Sequence, residues 1–193
     1  MTELNPAEFD FEAWIDDARL PEGSETVYKR ADLVAKIDHL ARQIRVETEA
    51  TAGEKTSASP LLASLRKERE KLMQAFAASE MTFYIRALPT ERIKAIVAAH
   101  SDVKSEDKNV ALTAQVGINR QLLAESIVAL ESPRLEKRDI TMTVPLIATM
   151  EAKIGAAQLA KLLVKRTEVQ SEAPAPDADF LPGASGTSQG SAR

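Results

Sequence analysis

Residues 80–87 read Glu80-Met81-Thr82-Phe83-Tyr84-Ile85-Arg86-Ala87. Apolar Phe83 and Ile85 alternate with Thr82, Tyr84 and Arg86, and a period of two in β-branched and aromatic side chains predicts a strand with one buried face. Leu88-Pro89-Thr90 breaks the pattern, since proline has no N–H for a ladder and restricts the residue before it. From Thr90 to His100 the spacing changes, and Ile93, Ile96 and Val97 share one face of a short helix. A lone strand leaves its backbone N–H and C=O groups unpaired, so this one must have a partner. Three candidates are open: the segment Ile140–Val144 (ITMTV), another protein, or a second copy of this chain.

Upstream, Leu33, Ile37, Leu40 and Ile44 follow one another at four, three and four residues, a stripe of period 3.5 on a helix from Ala31 to about Thr48. Lys36, Asp38, Arg42 and Arg45 surround it with mixed charge. Gly53–Ser59 reads as a polar loop. Ser59 is an N-cap with Pro60 at the first helical position, a strong start signal for a second helix. That helix carries Leu62, Leu65, Leu72 and Phe76, with Arg69 interrupting the stripe. Two helices this short do not persist as a free coiled coil, so they are expected to pack on each other or on a partner. Before them, Phe9, Phe11, Trp14 and Ile15 sit among acids, and Pro21 and Gly23 end any short helix there. This segment is either an arm docked on its own domain or a linear motif for another chain.

Downstream, Ser101–Asn109 is a charged loop. Val110–Leu130 reads as a long helix, with Ile118, Leu122, Ile127 and Leu130 on one side and Leu123 and Val128 widening the stripe. Ser132-Pro133 ends it. A helix pair follows over Val144–Ile154 and Ala156–Val169, joined at Gly155, and Leu159, Leu162 and Leu163 supply a buried face. From Ser171 the chain turns to Pro, Ala, Asp, Gly and Ser, a composition that cannot offset its own ordering entropy. The expectation is a mainly α protein: an arm at 1–30, an N-terminal α-helical hairpin at 31–79, a small helical domain with one or two short strands at 80–170, and a disordered C-terminal tail at 171–193.

Composition narrows function by exclusion. The 193 residues are 44% hydrophobic, mostly aliphatic, with only 4% aromatic, and the formal net charge is −4. Acids and bases are interspersed, and no basic stripe offers itself to phosphates, so no nucleic-acid partner is expected. Without cysteine there is no disulfide, thiolate metal site or thiol nucleophile, which suits a reducing compartment. The acidic start lacks the apolar core of a signal peptide. No run reaches the roughly 20 apolar residues that span a bilayer, so no membrane partner is expected.

Chemistry is sparse. His39 and His100 have no companion at metal-ligand spacing, and a structural or solvated role is the expectation for both. Neither a glycine-rich phosphate loop, nor Gly-x-Ser-x-Gly, nor His-Glu-x-x-His occurs. Asp16-Asp17 and Glu106-Asp107 lie in polar stretches and read as solvated surface. No catalytic residue, metal site or cofactor is predicted. A helical chain that carries apolar stripes but no catalytic motif is expected to work by binding proteins.

Thr82-Phe83-Tyr84-Ile85-Arg86-Ala87-Leu88-Pro89, then Arg92-Ile93 and Ala98-Ala99-His100, resembles the opening of the tail assembly chaperones of long-tailed phages of actinobacteria. In that family a Thr-Phe-x-(Leu/Ile)-Arg-Ala-Leu-Pro strand leads into a short helix ending near Ala-Ala-His. Asn119 through Ser132-Pro133 and Leu159–Val169 are similar to its later helices, and Asp32-Leu33-Val34 with Ile37 and Leu40, then Leu65–Ser79, to N-terminal extensions in some members. This chain has Ile93-Lys94 where many members carry tryptophan. The resemblance implies a chaperone that binds the tape measure protein and keeps it soluble while tail tube protein polymerises around it. It also implies a host-cytoplasmic location, absence from the mature virion, and a longer frameshifted form of the same protein. On this reading Phe83, Ile85, Leu88, Ile93 and Val97, with the long helix, form the protein-binding surface. The competing assignment makes them domain core. The alternative function is a virion structural or adaptor subunit that forms a homo-oligomer through the hairpin.

Overall fold

The computed structural model describes residues 10–16, 18–51, 59–101 and 108–171. In chain order the elements are α1 (Phe11–Asp16), β1 (Glu22–Tyr28), α2 (Leu33–Thr51), α3 (Pro60–Ala77), β2 (Glu80–Arg86), α4 (Thr90–Ser101), α5 (Lys108–Ser126), β3 (Ile127–Ser132), β4 (Leu135–Asp139), α6 (Val144–Ile154) and α7 (Ala156–Ser171). The strand at residues 80–86 finds partners on both sides within the chain. The four strands form one antiparallel sheet in the order β1-β2-β3-β4. In β1–β2, Glu22 faces Arg86 and Tyr28 faces Glu80. In β2–β3, Thr82 faces Glu131, and the register shifts at Tyr84/Ile85.

The expectation of a mainly α protein is overturned. The fold is α/β, with a four-stranded sheet in place of one or two short strands, and α2 and α3 interrupt that sheet between β1 and β2 instead of preceding the domain as an N-terminal hairpin. Residues 22–28 were expected in an arm because EGSETVY offers only one aliphatic side chain, Val27, and a glycine. Strand pairing recruits them regardless: residues 22–28 pair antiparallel with β2 along their whole length. Gly23 has a packing reason, since a Cβ at that position would meet Cγ2 of Val169 on α7 at 2.7 Å.

The long helix expected to Leu130 stops at Ser126, and Ile127-Val128-Ala129-Leu130 becomes the start of β3. Its helical spacing was real, but β-branched residues beside an unpaired strand edge gain more from the ladder. Ser132-Pro133 lies at the β3–β4 turn. Ile140–Val144 is not a strand. It leads into α6, and the Ile140 N–H donates to the Val128 carbonyl at 3.0 Å. Thr143 caps α6, accepting from the Leu146 N–H at 3.4 Å. Gly155 joins α6 to α7 with φ of 85°, a conformation glycine adopts without steric cost. Most of the loops expected at Gly53–Ser59 and Ser101–Asn109 lie outside the described residues, as do Phe9 and the tail expected to be disordered (beyond Ser171).

Helices α5, α6 and α7 cover one face of the sheet. Between them lies the main core, with Val27, Phe83, Ile85, Leu123, Ile127, Ile147, Leu159 and Leu162. A second cluster of Leu88, Ile96 and Leu122, flanked by Ile93 and Ile118, joins α4 to α5. Arg92 closes the same joint with paired 2.6 Å bonds to Glu125. Those bonds hold the Glu125 carboxyl below its ordinary range against the opposing effect of burial. Glutamines fasten α7 to the sheet: Gln158 accepts from the Tyr28 N–H at 3.2 Å, and Gln170 pairs with both backbone groups of Leu88 at 2.9 and 3.1 Å.

The opposite face is polar and largely paired within itself. Thr26 and Thr82 hydroxyls lie 2.9 Å apart, and Tyr84 donates to Glu131 at 2.5 Å. Glu22 accepts from Arg86 and Lys137, each at 3.1 Å, while the Lys137 ammonium sits 3.7 Å from the Tyr84 ring centroid.

Candidate protein-binding site

Tyr28 and Glu80 are directly opposed on the ladder, so the α2–α3 insertion starts and ends at one point of the sheet. Ser79 fixes that point. It is buried, its hydroxyl donates to the Phe76 carbonyl at 2.6 Å, and it accepts from the Arg30 N–H at 3.3 Å. Its carbonyl accepts from the Lys29 N–H at 3.2 Å. The Tyr28 ring stacks on Phe76 with centroids 4.3 Å apart and planes 14° from parallel. The Tyr28 hydroxyl donates to Glu80 at 3.2 Å. Burial, and then the Glu80 carboxylate, raise that phenol above its usual range. The base of the insertion is thereby held in one orientation.

Beyond the base, α2 and α3 pack chiefly on each other. Leu33, Leu40 and Leu62 are buried in the seam, and Ile37, Ile44, Leu65, Leu72 and Phe76 are partly buried along it. At the far end Ser59 accepts from the Leu62 N–H at 3.4 Å and donates to Glu47 at 3.0 Å. The start of α3 is therefore tied to the end of α2, and the two helices run antiparallel. Nineteen residues of α2 make a rod roughly 28 Å long.

A helix with a single packing partner hides one stripe and leaves its flanks to solvent. Here the flanks are not wholly polar: Val46 is 63% exposed and Leu61 54%, with Val34 and Met73 also outside the seam. Val46, Leu61 and Leu65 wall a groove of about 380 Å³, edged by His39, Arg42, Gln43 and Glu47. Such a groove accepts aliphatic side chains of another helix, and Arg42 and Glu47 at its edge can meet charges of either sign.

The residues predicted for contact lie elsewhere. Phe83 and Ile85 come together in the main core, with Ile85 fully buried. Leu88 and Ile93 come together in the second cluster. Val97, on α4, is 40% exposed and separate from both. The period-3.5 stripe marks the seam between the two helices and does not mark the flank on which the groove lies. The available signal was Val46 falling off that stripe, and Leu61 standing beside the seam residue Leu62.

His39 edges the groove. The His100 ring nitrogen Nδ1 lies 2.9 Å from the Ile96 carbonyl oxygen, and its ring fills the space beside Gly117. Among the described residues no group of three or more His, Cys, Asp or Glu could hold a metal ion. Asp17, Glu106 and Asp107 lie outside the described residues. No described helix is long and apolar enough to cross a membrane. The chain matches no protein-family model, no curated protein and no solved structure.

Proposed function

We propose that this chain is a binding protein without catalytic activity, and that α2 and α3 present its main contact surface. The observation that carries the proposal is the pair of exposed aliphatic residues, Val46 and Leu61, at the open end of a helical pair anchored at its base. Exposed aliphatic side chains gathered in a groove favour a partner that brings apolar surface of its own.

The specific role we assign is that of a phage tail assembly chaperone acting in the host cytoplasm. Its client would be the tape measure protein, kept soluble while tail tube protein assembles. The client's identity rests on the resemblance of residues 82–100 to that family. The mode of contact rests on the groove, because a long helical client offers repeated aliphatic stripes, and many weak sites on one chain add up to firm retention.

The test is purification of the tagged full chain from cells producing its phage, with mass spectrometry of what accompanies it. The expected result is a very long helical protein together with tube subunits, and no copies of the chain in finished particles. Self-association alone, with the chain abundant in purified virions, would replace this proposal by an oligomeric virion subunit.

A further inference from the structure

Strand β1 is one edge of the sheet, and the pairing on its inner side shows which of its backbone groups are engaged. The Ala87 N–H donates to the Pro21 carbonyl at 2.8 Å, and the Lys29 N–H to the Ser79 carbonyl at 3.2 Å. The register between these two bonds is unbroken, so the odd-numbered residues of β1 bond to β2 and the even-numbered ones face away. Of the outward groups, the Tyr28 N–H is taken by the Gln158 side chain at 3.2 Å. The outward N–H and C=O groups of Glu22, Ser24 and Thr26 have no hydrogen-bond partner among the described residues. The other edge of the sheet differs. In β4, Glu136, Lys137, Arg138 and Asp139 are all exposed, and a run of charge discourages the addition of a strand. The outer side of β1 instead carries Ser24, small and exposed, at its middle.

We infer that the β1 edge pairs with the β1 edge of a second copy of this chain, antiparallel and about a two-fold axis at Ser24. A symmetric antiparallel pair must set even-numbered residues opposite even-numbered ones, because only those have outward groups. With Ser24 opposite itself, Glu22 faces Thr26 of the second copy. All three unpartnered residues are then used, and Tyr28 is left to Gln158. An axis at Gly23 would set Thr26 against Leu20, outside the strand. An axis at Glu25 would set Tyr28 against Glu22 and bring the two Glu25 carboxylates face to face, and like charges directly opposite are destabilising. The Ser24 register also places charges well on the helix-covered face, where Glu25 of the second copy stands opposite Gly23. Lys165 lies over that glycine, its Cε 3.1 Å and its Nζ 3.9 Å from where a Cβ would be. Glu25 has no ion pair among the described residues, so it and Lys165 are complementary across the seam, twice by symmetry. Helix α7 packs on β1 and β2 together. With strands roughly 4.8 Å apart, two such helices stand about 10 Å apart across the seam, an ordinary packing distance. This surface is separate from the α2/α3 groove and does not depend on the chaperone assignment.

Sedimentation equilibrium of the full chain over about 1–100 µM is expected to show a reversible dimer, twice the 21.0 kDa of one chain. Ser24→Pro removes an N–H that the sheet does not use, so it is expected to hold the melting temperature and abolish the dimer. Glu25→Lys and Lys165→Glu each set like charges against one another at the seam. Each is expected to weaken self-association about tenfold or more. Mixed in equal amounts, the two variants are expected to form a heterodimer of near-parental affinity, seen by native mass spectrometry, because both contacts again join opposite charges. A contact within one chain cannot give that rescue. Should Ser24→Pro fail to fold, the charge variants decide alone. A monomer at every concentration would overturn the inference, as would a dimer indifferent to Ser24→Pro, or charge variants that do not rescue each other. Slow hydrogen exchange of the Ser24 amide in such a monomer would assign the edge to another segment of the same chain.

Discussion

Ser126 is fully buried where α5 gives way to β3, and its hydroxyl has no partner among the described residues. A desolvated hydroxyl without a hydrogen bond costs about 1–3 kcal/mol, and alanine at the end of a helix has no such cost. Ser126→Ala is expected to raise stability by about 1 kcal/mol, read as a melting temperature roughly 2–4 °C higher. A lower value would mean that the hydroxyl is satisfied by a group such as internal water. Single residues differ in how openly the sequence declares them. Ser59 and Pro60 announced their helix start, because capping depends on neighbours within three residues. Gly23 announced nothing of the kind: its role is to let Val169, 146 positions later, approach the strand. Arg69 was visible as a break in its stripe, and its Nε is indeed buried without a partner among the described residues. Arg166, whose Nε and Nη2 are likewise buried without a partner among the described residues, carried no such mark.

At the scale of elements, α2 and α3 are nearly self-explanatory, since the period-3.5 stripe and the Ser59 cap both act within the pair. What the stripe could not reveal is that one flank would stay open at Val46 and Leu61. Val46→Asp and Leu61→Asp alter side chains outside the seam. Each is expected to leave the melting temperature within about 2 °C of the parent, as surface changes do, while sharply reducing recovery of any partner in the purification described above. Undiminished recovery from the double variant would move the contact surface off this helical pair. The strands were harder to read. Phe83 and Ile85 alternate plainly, whereas β1 has a single aliphatic residue, and the five residues of β4 are all exposed. Ile127–Leu130 fits a helical stripe and a strand alike, and only an adjacent β2 edge selects the strand.

For the molecule as a whole, the placement of α2 and α3 between two directly paired strand ends has a direct consequence. Replacing residues 29–79 by Asn-Gly would join Tyr28 to Glu80 through a tight hairpin turn that their register permits. The shortened chain is expected to fold, with the helical circular dichroism reduced by the loss of the 19- and 18-residue helices. It should lose about 1–3 kcal/mol from the missing Tyr28–Phe76 stack and Ser79 bonds, measured by urea denaturation, and it should no longer retain a partner. A chain that fails to fold would show that the helical pair is integral to the sheet. By itself the sequence determined the helix starts at Pro60, Thr90, Val144 and Ala156, the α2–α3 stripe, the strand at 80–86, the Gly155 junction and the absence of any recognisable catalytic motif, since each depends on residues a few positions apart. Only the tertiary structure decided that Glu22–Tyr28 and Ile127–Ser132 are strands and that Phe83 and Ile85 are interior. Strand pairing and burial are settled by residues tens of positions away, and no local pattern records which of them will arrive.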